Sequence, residues 1–270
     1  MKLSFCTIFV FLCFIATAQK LKQGKHNSNK NILLDYYFNH EFKKDSAGNS
    51  IRFHYTWEDT DDSGYSLFGE IFKQHGALLS HIDKAPTAGN LKNASVYIIV
   101  DPDTKTETAN PNYISPNDAA IIYNWVKTGG VLLLMLNDSA HAEFEHTNSL
   151  AQKFGIHFNE NSINRVEGSH YETGAFNISK SDVIFKPAKR IYIKELSTLI
   201  VTKPAKAHFK NNKGDVVMAI SKVGKGTVFA IGDPWFYNEY IANKILPAEY
   251  ENTKAANDLI KWLLQQVRIK

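Results

Sequence analysis

Cysteine is almost missing from this chain. Of 270 residues only Cys6 and Cys13 are cysteines, and both lie in an N-terminal segment with the layout of a removable export signal. Lys2 supplies a positive start, Leu3 to Ile15 form an apolar run broken only by Ser4 and Thr7, and Ala16-Thr17-Ala18 offers a small-x-small cleavage site before Gln19. The run is too short to span a bilayer. Phe11 and Leu12 precede Cys13 where a lipoprotein signal needs small residues. The expected mature chain therefore has no thiol, which excludes disulfides, thiolate metal sites and a cysteine nucleophile. The compartment expected is the periplasm or the exterior.

Other absences narrow the field further. No later stretch approaches the length of a membrane-spanning helix, so no membrane span is expected. The formal charge is only +4, with 31 Lys and Arg against 27 Asp and Glu. The basic residues are scattered, so no nucleic-acid footprint is indicated. There is no G-x-S-x-G elbow, no Walker loop, and no G-x-G-x-x-G after a strand. Gly224-Lys225-Gly226 falls in a hairpin turn rather than a phosphate cradle. Serine-hydrolase, kinase and dinucleotide-dependent readings lose their support, and no cofactor is expected.

What remains alternates between strand and helix. Residues 19–31 read as a polar, basic leader, and residues 32–270 as a single α/β domain. Ile32 to Phe38 is an apolar run of strand length, and 43–62 reads as a long loop around His54-Tyr55-Thr56-Trp57. Ser63 is the expected cap of a helix carrying Leu67, Phe68, Ile71 and Phe72, stopped by Gly76. Ala77–Ile82, Ser95–Val100 and Val131–Leu136 read as strands. Ser115-Pro116 opens a helix that runs to Lys127 before Gly129-Gly130. A helix around 146–154 and a short strand Ile156–Phe158 follow. Residues about 160–215 read as a β-rich insertion, with short strands at Val183–Phe185, Arg190–Ile193 and Leu199–Val201. Val216–Ile220 and Thr227–Ile231 form a hairpin, and Thr253–Val267 an amphipathic helix. The pattern predicts a mostly parallel sheet with helices on both faces and a β-rich extension, because continuous apolar strands need cover on both sides.

In such a sheet, ligands bind beyond the carboxyl ends of the strands. The residues that follow the predicted strands are polar in each case. They are Asn39, His40 and Glu41; Asp101, Asp103 and Lys105; Asn137, Asp138, His141, Glu143, Glu145 and His146; and Asp233, Trp235, Tyr237, Asn238 and Glu239. Each residue also has a structural reading. Asp101 and Asp138 suit helix caps, His146 suits a helix start, and Trp235 and Tyr237 suit packing. His141-x-Glu143-x-Glu145-His146 lacks the spacing of a zinc-protease helix, so no metal is assigned.

Four blocks, taken in order, resemble a glutamine-amidotransferase-like domain family of Bacteroidetes. They are Asp35-Tyr36-Tyr37-Phe38-Asn39-His40-Glu41, Val100-Asp101-Pro102-Asp103-Thr104, Ala142-Glu143-Phe144-Glu145-His146, and Gly232 to Tyr240. Members occur beside unsaturated glucuronyl and rhamnogalacturonyl hydrolases in polysaccharide-degradation loci, and the nearest likeness is to oligosaccharide dehydratases of ulvan breakdown. The resemblance implies a flavodoxin-like fold and a carbon–oxygen lyase acting on anionic uronic-acid oligosaccharides, sulfated or not. Glutaminase chemistry is excluded, because Asn137-Asp138-Ser139 stand where the superfamily nucleophile would be.

Removing water across C4 and C5 of a terminal glucuronic or iduronic acid needs a base for the C5 proton, an acid for the 4-hydroxyl and a partner for the carboxylate. His146 or His170 could be the base, Tyr171 or Tyr237 base or acid, and Asp138 or Glu143 could orient a histidine. Lys105, Arg165, Asn137 and Asn238 could hold the carboxylate, with Asn39, Glu41, Asp101, Asp233 and Trp235 lining the site. A carbohydrate-binding accessory module, motivated by aromatics in Trp235–Tyr240, is the alternative. A hydrolase pairing Asp101 with Asp138 is a third reading.

Overall fold

The computed structural model describes residues 30–139 and 141–268. The expected export signal and all but the end of the leader lie outside the described residues. In chain order the strands and helices are β1 (Asn31–Asp35), β2 (Phe42–Lys44), β3 (Ser50–Arg52), α1 (Ser66–Gln74), β4 (Leu78–Ile82), α2 (Ala88–Leu91), β5 (Val96–Val100), α3 (Pro116–Lys127) and β6 (Val131–Met135). Then come α4 (Glu145–Ala151), β7 (Ile156–Phe158), β8 (Ala175–Asn177), β9 (Arg190–Tyr192), β10 (Leu199–Val201), β11 (Ala205–Lys210), β12 (Val216–Val223), β13 (Gly226–Ile231), α5 (Asn238–Ile241) and α6 (Asn252–Gln266).

The central sheet runs β4-β1-β5-β6-β13-β12-β10-β7, with β11 also paired to β12. Its first five strands are mutually parallel. Ranked by position in the chain, those five stand in the order 2-1-3-4-5, which is the flavodoxin-like arrangement. The remaining pairings are antiparallel. The β-rich stretch expected at 160–215 thus extends the sheet through β10 and β11, while β8 and β9 pair separately.

Every residue of β5 and β6 is buried. Successive side chains point to opposite faces. Val96, Ile98, Val100, Leu133 and Met135 therefore join Phe68 and Phe72 of α1 and Leu259 and Leu263 of α6 in one core. Tyr97, Ile99, Leu132 and Leu134 join Ile122 and Val126 of α3 and Leu150 of α4 in the other. Each Val, Ile or Leu so buried contributes about 1.5–3 kcal/mol, which is why these two strands read as unbroken apolar runs. Among the described residues no helix is long and apolar enough to cross a membrane.

Local chemistry sets the ends of the elements. Ser115 and Asp118 form a reciprocal capping box on α3, with Pro116 in its first turn. Gly224 turns the β12–β13 hairpin at φ +58°, where an added Cβ would lie 2.4 Å from the Lys127 carbonyl.

Four expectations are corrected. The loop at 43–62 contains the β2–β3 hairpin. Val183–Phe185 is not a strand; Ile184 and Phe185 give their backbone N–H groups to the Asp182 carboxylate. The helix expected to reach 154 ends at Ala151 and tightens into a 3-10 turn. Ser63 does not cap α1. One N–H of the first turn of α1, that of Leu67, donates to Asn238 Oδ1 at 2.9 Å, a partner 171 residues away that no local pattern reveals.

Candidate functional site

At the carboxyl rim of the parallel strands, Asp101 follows β5, Asn137 follows β6 and Asp233 follows β13. These three residues share a hollow of about 230 Å³ with Tyr55, Tyr237 and Lys194. His54, Glu107, His141, Glu195, Glu239 and Tyr240 complete its wall. Close approach builds this rim. Gly232 lies so near Ser197 that an added Cβ would sit 1.9 Å from the Ser197 carbonyl oxygen, which fixes where Asp233 emerges.

Asp101 is the hub. Its Oδ2 accepts from Tyr55 Oη at 2.8 Å and from Asn137 Nδ2 at 3.1 Å. Its backbone carbonyl accepts from Asn39 Nδ2 at 3.3 Å. Its other carboxyl oxygen is buried with no partner. Tyr55 Oη also lies 3.1 Å from Tyr237 Oη, so a chain of hydroxyls runs from the buried acid to the hollow. Among the described residues no hydrogen bond reaches the Asp233 carboxyl.

The electrostatics follow from burial. Desolvation pushes Asp101 and Asp233 well above the usual carboxylate range, and neighbouring acids push the same way, Glu107 on Asp101 and Asp101 on Asp233. Glu107 is raised by burial as well. Burial also raises Tyr55 and Tyr237, helped by the negative charge of Asp101 and Asp233. Burial thus favours the neutral forms of Asp101 and Asp233 over their ionised forms, and a neutral carboxyl can donate a hydrogen bond. Lys194 Nζ lies 3.4 Å from Glu195.

Two histidines stand on this wall, each backed by a carboxylate. His141 Nδ1 pairs with Asp138 at 2.6 Å, and His54 Nδ1 with Glu41 at 3.0 Å. Such a partner orients the imidazole and fixes its tautomer. The backbone here is unusual: His54, Tyr55, Asp101 and Glu195 all have positive φ, at 65°, 53°, 44° and 49°. Non-glycine residues in this region persist where the surroundings over-determine them, and they gather at functional sites.

The expected site residues divide. Asp101, Asn137, Asp233 and Tyr237 line the hollow. Asn39, Glu41 and Asp138 touch residues that do. The others are placed elsewhere. Glu143 accepts from the backbone N–H groups of His146 and Thr147, so it satisfies the start of α4, and its carboxylate pairs with His146 Nδ1 at 2.8 Å. The His146 ring stacks on Tyr113 at 4.6 Å. Tyr171 packs on Tyr192 and Tyr250. His170, Lys105 and Arg165 are exposed and do not line the hollow. Asn238 is buried and ties the backbone at Asp59, Asp61 and Leu67 together. Trp235 is fully buried in the core with Phe236 and Phe185. Of the aromatic residues at 235–240, Trp235, Phe236 and Tyr240 are inside, and Tyr237 is half-buried on the wall of the hollow.

The sequence assigns no site role to His54, Tyr55, Glu107, Lys194, Glu195 or Tyr240, and places His141 and Glu239 only among the polar residues that follow strands. The aromatic cluster at 54–57 was the available signal for the first two. Among the described residues no group of three His, Cys, Asp or Glu side chains is placed to hold a metal ion.

These features define an α/β protein of flavodoxin-like strand order with an acid-lined hollow at the carboxyl rim. Solved structures with the same fold are distant in sequence. The N-terminal domain of mmIFT52 is similar over 87% of this chain and 97% of that domain, with 16% identity and a TM-score of 0.64. A cytoplasmic protein from Salmonella typhimurium is similar over 89% of this chain and all of its own, with 16% identity and a TM-score of 0.56. A second cytoplasmic protein, from Salmonella typhimurium LT2, matches with the same figures. Likeness at this identity carries the fold alone. No family model and no curated protein matches the chain.

Proposed function

We propose that the protein is an exported hydro-lyase. It removes water from the terminal glucuronic or iduronic acid of an ulvan-type oligosaccharide and leaves a 4,5-unsaturated uronyl end for a downstream unsaturated glucuronyl hydrolase. The observation that carries this reading is the pair of buried carboxyls, Asp101 and Asp233, that open on one hollow and are raised by burial. Ionised, they would repel a uronate. Protonated, they lose that repulsion, and Asp233 can donate a hydrogen bond to it, as a buried neutral carboxylic acid can at pH 7.

The chemistry asks for three roles. A base takes the C5 proton, the freed electron pair forms the C4–C5 double bond, and the C4–O bond breaks. The departing hydroxyl takes a proton and leaves as water. His141 and His54, each oriented by a carboxylate, supply bases on the wall. The Asp101–Tyr55–Tyr237 chain supplies the proton. Lys194 and Asn137 balance the substrate carboxylate as charge builds on it.

Incubation with saturated oligosaccharides that end in a uronic acid tests this. The expected result is growth of the absorbance of a conjugated uronate, with loss of one water by mass. Intact oligosaccharide that binds but does not turn over would move the protein to the binding-module reading. Neither binding nor turnover would remove both.

A further inference from the structure

The hollow does not stand alone. Its wall residues Tyr237 and Glu239 also line a neighbouring depression of about 510 Å³. That depression in turn shares Thr60 and Asp61 with a third of about 560 Å³ at the ends of β1 and β4. The three depressions thus adjoin in a row through shared wall residues. The segment 52–56 serves both ends of it. Arg52 and Thr56 face the largest depression, whereas His54 and Tyr55, turned by their positive φ, face the hollow.

The far end has the chemistry of a sugar subsite. Tyr36 and His81 stack at 4.5 Å, nearly parallel. Arg52 is half-buried beneath the Tyr36 and Phe42 rings and donates to the Tyr36 carbonyl, which fixes its position. Lys43 and Asp61 pair across the wall. Glu58 accepts from Tyr36 Oη at 2.7 Å. His81, exposed and stacked on the buried Tyr36 ring, puts a planar group beside fixed donors and acceptors, which suits a polyhydroxylated ring. By contrast, the 230 Å³ hollow lies below the roughly 300–1,000 Å³ of pockets that enclose a drug-sized ligand. It has room for one small unit.

We infer that this row is one furrow that holds the saccharide units behind the terminal one, with the depression at Tyr36, Arg52 and His81 as the distal subsite, so that the protein selects chains of several units. This rests on the hydro-lyase reading for the hollow itself. Thr60 is exposed at the neck between the two larger depressions and touches none of the reacting groups, so Thr60→Trp blocks the furrow there. His81→Ala removes the stacked ring at the far end.

The experiment measures binding and turnover of a disaccharide and of longer oligomers from one glucuronate-containing polysaccharide. The wild type is expected to prefer the longer chains by about tenfold or more in affinity, the equivalent of ~1.4 kcal/mol. Both variants should bring the long chains down to the disaccharide level, and Thr60→Trp should leave disaccharide turnover unchanged. Equal affinity for all lengths in the wild type would overturn the furrow and leave the hydro-lyase reading standing. Loss of disaccharide turnover in step with the longer chains in Thr60→Trp would also overturn it. Absence of binding and turnover at every length would overturn both.

Discussion

Replacing Asp101 by Asn should make the protein more stable at neutral pH, and replacing it by Ala should do the reverse. The folded carboxyl is raised by burial, whereas in the unfolded chain it ionises near the ordinary aspartate value of about 3.9. A raised folded pKa gives stability that is present below the unfolded value and is lost as pH rises toward the folded one. The wild type therefore loses stability across that window, and the Asn variant, with nothing to titrate, does not. Asn also keeps the geometry. Its oxygen can accept from Tyr55 and Asn137, as Asp101 Oδ2 does at 2.8 and 3.1 Å, and Asn tolerates the φ of 44° found there.

Ala loses both acceptors and leaves Asn137 Nδ2 without its bond. An orphaned buried donor costs about 1–3 kcal/mol, and the left-handed conformation costs a further ~1–2 kcal/mol for Ala. Ala should thus destabilise by about 2–5 kcal/mol, the sum of those terms. Urea unfolding at acid and alkaline pH, followed by tryptophan fluorescence, reads both effects. An Asn variant as unstable as Ala at alkaline pH, with a gap that narrows toward acid, would refute the neutral carboxyl. The Asn variant should still lose turnover by roughly 10²-fold or more, the usual worth of a positioned acid.

Three further outcomes follow from the same structure. Asp103, pushed up to about 8 mainly by burial, should make stability fall between about pH 4 and pH 8, and Asp103→Asn should flatten that slope in pH-dependent unfolding. Asn238→Ala should cost about 2–4 kcal/mol by urea unfolding, because it frees Leu67 N and the carbonyls of Asp59 and Asp61 together. Trp235→Ala should cost about 3–5 kcal/mol as a core cavity, with oligosaccharide affinity unchanged in calorimetry at a temperature where the variant is folded.

The strands that build the rim were readable because burial on both faces leaves no polar position in Val96–Val100 or Val131–Met135. Asp101, Asn137 and Asp233 were readable for the same reason, as the polar residues that end such runs. The rest depended on long-range geometry. His54 and Tyr55 reach the hollow through two consecutive left-handed residues in a segment that reads as plain loop. Lys194 and Glu195 arrive from the β-rich extension, far in sequence from the parallel strands. Glu143 and His146 misled because an acid and a histidine three residues apart look alike whether they face a site or close the first turn of a helix. Trp235 misled because an aromatic residue in a polar block gives no sign of which way the chain turns it.

The most direct test of the account is a titration of the aspartate side-chain carboxyls by carbon-13 NMR, assigned with Asp101→Asn and Asp233→Asn, with and without a glucuronate-terminated disaccharide. The account predicts that both carboxyls ionise well above the ordinary aspartate value in the free protein and that both signals move when the disaccharide binds. Two carboxyls that ionise near the ordinary aspartate value, or two signals that ignore the ligand, would contradict it.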